Sequence, residues 1–180
     1  MTDYFALLQR ERRPWVDPKE LKEKYFALSR LAAPDARLNE AYRILSDPKL
    51  RLHHLLTLEG ADLAAGRPVP PSVADLFWNT GAVLREAERW LIQHIGTTTA
   101  LQRSLTAAER AKLQGKISEI DVRLRVTYES RLEQLRQLDT TWKASSPNDT
   151  PQLLELYDSI AYLTRLLEQI TEKKFQLDVA

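Results

Sequence analysis

From Leu113 to Trp142 the apolar residues step by three or four: Leu113, Ile117, Ile120, Leu124, Tyr128, Leu132, Leu135, Leu138 and Trp142. Such spacing makes a single seam along one long α-helix, and a seam of this kind has to be covered by other helices. Thr106-x-x-Glu109 reads as its start, and Thr150-Pro151 opens a last helix with Leu153, Tyr157, Ile160, Leu163, Leu167 and Ile170 turned inward. Before the seam, Ser72-x-x-Asp75 reads as the cap of a helix running to about Ile95, with Val73, Phe77, Leu84, Ala87, Leu91 and Ile95 as its inner face. Three helices joined by short connections predict an antiparallel three-helix bundle over residues 72–180.

The N-terminal part has its own punctuation. Asp17-Pro18-x-Glu20 is a helix start, in which Asp17 caps, Pro18 occupies the first turn and Glu20 can reach back. That helix would bury Leu21, Tyr25 and Leu28 and end near Pro34, which disfavours a helical residue before it. A short helix follows over Ala36 to Ser46, with Leu38, Ala41, Tyr42 and Leu45 on one face; Asp47-Pro48 then restarts the chain toward Gly60, a left-handed terminator. Clustered proline in Gly66-Arg67-Pro68-Val69-Pro70-Pro71 cannot continue a helix, so residues 67–71 are a linker and 1–66 a separate domain. With five glycines among many Leu, Ala, Glu, Arg and Lys, the expectation is all-α with no sheet.

Charge restricts the partners. Up to Pro71 there are 12 Lys and Arg against 10 Asp and Glu, and after it 14 against 15. Neither half carries the single-sign field that nucleic acid or an anionic membrane exploits, so neither is expected as a partner. No apolar run approaches transmembrane length, and Met1-Thr2-Asp3-Tyr4 resembles neither a signal nor a transit peptide, which predicts a cytoplasmic protein. The chain has no cysteine, hence no thiol nucleophile and no thiolate ligand. The adjacent His53 and His54 lack a second ligand at helical spacing, and no cluster of acid, base and nucleophile can be assembled. No cofactor, no metal site and no catalysis are expected.

Four segments carry a family resemblance. Asp3-Tyr4-Phe5-Ala6-Leu7-Leu8 matches the opening of J-domains, and Asn39-Glu40-Ala41-Tyr42-Arg43-Ile44-Leu45-Ser46-Asp47-Pro48-Lys49-Leu50-Arg51 is similar to their last half. Leu55-Leu56-x-Leu58-x-Gly60 resembles the ending of the HscB type, the J-domain co-chaperones of iron-sulfur cluster assembly. Toward the C-terminus, Ile160-Ala161-Tyr162-Leu163-Thr164-Arg165-Leu166 is similar to a pattern near the end of such chains. The resemblance implies a J-like helical hairpin followed by a partner-binding bundle, joined in an L. It implies a seventy-kilodalton heat-shock chaperone as one partner and an iron-sulfur scaffold or client protein as another.

Two sets of residues follow from the resemblance. The chaperone-docking loop and basic helix face fall on Lys19, Lys22, Arg30, Ala33, Pro34 and Asp35. The family's His-Pro-Asp reads Ala33-Pro34-Asp35 here, and only three residues separate Asp35 from Asn39 where relatives carry a longer loop. Alanine has no ring nitrogen and no titratable charge, so no measurable stimulation of the chaperone ATPase is expected. The scaffold-binding surface falls on Trp78, Asn79, Ala82, Val83, Glu86 and Trp90, joined by Tyr162. Trp78, Val83 and Trp90 project off the inner face predicted above, and apolar residues outside a core mark an interface. Gly81 within this helix suggests close approach by another backbone. A second function class fits the same residues: a J-like interaction module that binds a partner without engaging the chaperone.

Overall fold

The structure is a computed structural model that describes residues 2–31, 35–63, 67–94, 100–143 and 150–179. Among these residues the protein is all-α, with α1 (Tyr4–Leu7), α2 (Pro18–Leu31), α3 (Ala36–Ser46), α4 (Pro48–Leu58), α5 (Pro71–Gln93), α6 (Ala100–Thr141) and α7 (Thr150–Val179). Contacts group it into two compact units: residues 1–68 with 131–160, and residues 69–130 with 161–180. Helices α6 and α7 thus contribute residues to both units.

The first unit begins with aspartate caps. Asp17 accepts from the backbone N–H of Lys19 at 2.9 Å and of Glu20 at 3.0 Å, Asp35 from that of Arg37 at 2.8 Å, and Asp47 from that of Leu50 at 2.8 Å. Each satisfies amides that a helix start leaves without an intrahelical acceptor. The Glu20 side chain does not reach back; it accepts from Arg10 at 2.7 Å. Gly60, at φ +73°, closes the turn after α4, where Ala61 N donates to Leu56 O. Helix α3 packs against α1, α2 and α4 through Leu38, Ala41 and Leu45, all buried with Phe5, Leu8 and Leu21. Tyr42 is only half-buried and stacks on Tyr25 at 4.4 Å, and Tyr25 and Leu28 are half-buried too.

Polar contacts tie the segment before α2 to the C-terminal end of α6. Trp142 Nε1 donates to Arg12 O at 3.0 Å, Trp15 N donates to Asp139 Oδ1 at 3.1 Å, and the Arg136 guanidinium lies over the Trp15 ring at 4.2 Å. The buried Arg51 donates to Pro14 O at 3.0 Å and to Leu45 O at 2.7 Å. A guanidinium, with its several donors, can hold two separated carbonyls at once.

In the second unit, α5, α6 and α7 share one core of Val73, Leu76, Ala87, Trp90, Leu113, Ile117, Ile120, Leu124, Leu163, Leu166, Ile170 and Leu177. Several sequence expectations shift here. The N-cap of α5 is Pro70, with no side-chain cap, and Ser72 lies inside the first turn. Helix α6 begins at Ala100, so Thr106 lies within it. The inner face of α5 is Val73, Leu76, Thr80, Ala87 and Trp90, with Phe77, Leu84 and Leu91 half-buried at its border. The inner face of α7 likewise runs through Leu156 and Leu166, leaving Tyr157 and Leu167 half-buried. The seam of α6 holds throughout, with Tyr128 and Leu132 half-buried and the other members buried.

Candidate functional site

A helix about six turns long exposes its side chains in stripes, and on α5 the candidate residues divide between two of them. One stripe meets α7. There Val69, Phe77, Trp78, Gly81, Leu84 and Arg85 face Tyr162, Arg165, Leu166 and Gln169 across a groove of about 420 Å³. Phe77 is its aromatic centre: Trp78 meets it edge-on at 5.3 Å and Tyr162 edge-on at 6.3 Å. Trp78 is 66% exposed, so its indole forms the rim and not the floor. Asn79 and Ala82 are exposed beside it, and Val83 is half-buried against the core.

The other stripe meets α6, and it takes Glu86 and Trp90 away from the groove. Lys116 Nζ donates to both carboxylate oxygens of Glu86 at 2.7 Å. Trp90 is 7% exposed and belongs to the core, stacked on His94 at 4.4 Å. The expectation that Trp90 projects off the core is therefore wrong. α5 is apolar around much of its circumference, so two stripes fit a helical period, and the packing of α6 selects the one holding Trp90. Of the residues carried over from the family, the structure brings Trp78 and Tyr162 together at one groove and sets Glu86 and Trp90 on another face.

Among the groove residues that the sequence reading did not assign to it are Phe77, Arg85 and Arg165. Arg85 stands one heptad after Trp78, a spacing that puts both on one side of the helix. Gly81 lies between them. A Cβ there would come within 3.2 Å of Arg85 Nη1, so the glycine makes room for the guanidinium of its own helix and not for another backbone.

The chaperone-docking set is smaller in the structure. Ala33 and Pro34 lie outside the described residues. Lys19, Lys22 and Arg30 are exposed on α2, on a face that also carries Phe26, 47% exposed. Asp35 is the cap of α3, so its carboxylate has a structural task of its own.

Titratable groups elsewhere serve the fold. His54 is buried, accepts the Tyr4 N–H through Nε2 at 3.1 Å and stacks on Phe5 at 5.8 Å. Burial pushes its pKa below the ordinary value, the neighbouring His53 and Arg12 add to this, and Asp3 opposes it. Burial raises the Tyr157 phenol, over which the Arg67 guanidinium sits at 5.7 Å while it bonds Asp158. Among the described residues no group of three or more His, Cys, Asp or Glu could hold a metal ion, and no helix is long and apolar enough to cross a membrane. No family model matches the chain, and none of the curated proteins compared with it matches.

Proposed function

We propose that this protein is an HscB-like co-chaperone or chaperone adaptor in iron-sulfur protein biogenesis, with no catalysis of its own, that binds an iron-sulfur scaffold or client through its α5–α7 groove. The observation that carries this reading is Trp78: a tryptophan left 66% exposed beside Phe77 and Tyr162, at the position where the resemblance to HscB-type chains puts the partner surface. An indole of that size on an aromatic groove is the anchor type that dominates binding energy in protein interfaces. Support for chaperone contact comes from the exposed Lys19, Lys22 and Arg30 around Phe26. Against ATPase stimulation stands Ala33, whose side chain has no nitrogen to donate or accept.

Single-turnover ATP hydrolysis by the cognate seventy-kilodalton chaperone tests the J-like part. The expected outcome is no measurable acceleration. Strong acceleration that is lost in Asp35→Asn would contradict it. Asparagine is the right substitution because it retains helix capping, whereas Asp35→Ala would also remove the cap of α3, worth about 1 kcal/mol.

A further inference from the structure

The groove beside Trp78 carries charge of one sign. Arg85 from α5 and Arg165 from α7 both line it, both are exposed, and among the described residues neither forms an ion pair. None of the lining residues is acidic. The nearest acid of the candidate set, Glu86, is held on the other side of α5 by Lys116, and Glu88 is paired with Lys173. Asp75 is exposed one turn before Trp78 and does not line the groove. The absence of a side chain at Gly81 lets the Arg85 guanidinium lie back along α5, which leaves the apolar floor of Phe77, Leu84 and Leu166 open. An apolar floor between two arginines with no acidic partner is a complement to a segment that presents apolar side chains flanked by carboxylates. Arginine is the cation suited to this, because its planar fork takes a carboxylate through two parallel hydrogen bonds.

We propose that the α5–α7 groove recognises an acidic, apolar peptide segment of its protein partner, with Trp78 and Phe77 gripping the apolar residues and Arg85 and Arg165 pairing with the flanking carboxylates. This rests on the reading of the groove as a docking surface and adds the chemistry of what docks. A basic segment is disfavoured by like charge at both arginines, so the groove selects between partners as well as holding one.

A displayed library of short peptides tests it, each with a fixed Leu-x-x-Leu-Phe face and flanking positions drawn equally from Glu, Lys and Ser, selected on the intact protein. Glutamate is expected to be enriched at the flanks. The selected peptides should lose at least about tenfold in affinity to the Arg85→Glu, Arg165→Glu double variant, which should instead enrich lysine. Enrichment of lysine, or of no charge, by the wild type would overturn the charge assignment; if that binding still requires Trp78, the docking surface itself stands. No selection at all, or selection unchanged in Trp78→Ala, would overturn the docking surface and this proposal together.

Discussion

His54 and Thr80 are two buried polar residues with opposite consequences. The Nε2 of His54 accepts the Tyr4 N–H, which requires a neutral ring, and burial lowers its pKa from 6.5. The unfolded chain therefore takes up this proton before the folded one does. Stability from this group is complete above about pH 6.5 and is lost as the pH falls toward the folded value. Urea unfolding should show the wild type losing more stability between pH 7 and pH 5 than His54→Phe does; parallel profiles would mean that the ring protonates freely in the folded state. Thr80 is fully buried with its hydroxyl lacking a partner. A buried unpaired hydroxyl costs more than an apolar group of the same shape, so Thr80→Val should stabilise the protein by about 1 kcal/mol in the same assay. Neither residue is legible in the sequence as buried: His54 sits beside an exposed histidine, and Thr80 stands between Asn79 and Gly81, where the composition suggests surface.

Helix starts marked by Asp followed by Pro were legible, because a side-chain cap and a proline in the first turn are local chemistry. Asp17 caps where that pattern places it, Asp47, read from the sequence only as restarting the chain, caps α4 in the structure, and Ala36–Ser46 is the helix that its spacing predicts. α5 shows where periodicity stops informing. Val73, Phe77, Leu84 and Leu91 and the set Val73, Leu76, Ala87 and Trp90 are both helical stripes, and only contact with α6 and α7 decides between them. Its two tryptophans consequently differ in role. Trp90→Ala should cost about 3–5 kcal/mol as a core truncation, whereas Trp78→Ala should change stability by no more than about 0.5 kcal/mol. Denaturation of the two single variants checks this, and equal costs would mean that the exposed face has been misassigned. A double variant of both tryptophans would confuse binding with unfolding.

At the scale of the whole molecule, the proline run at 68–71 coincides with a change from one compact unit to the next, yet residues 131–160 belong with the N-terminal helices. That grouping was illegible for a physical reason. It depends on Trp142 meeting Arg12 and Asp139 meeting the Trp15 amide, pairs separated by 130 and 124 positions that leave no periodic trace. The groove was half legible: the resemblance pointed to Trp78 and Tyr162, while Phe77, Arg85 and Arg165 became part of it only once α7 lay beside α5. The most direct test of the proposed function is calorimetric titration of the intact protein with the purified iron-sulfur scaffold of the same source, wild type against Trp78→Ala. Wild type is expected to bind, and Trp78→Ala to weaken binding by about 2 kcal/mol or more, roughly 30-fold, while keeping the wild-type unfolding midpoint. No binding by the wild type, or equal affinity in the variant, would contradict it.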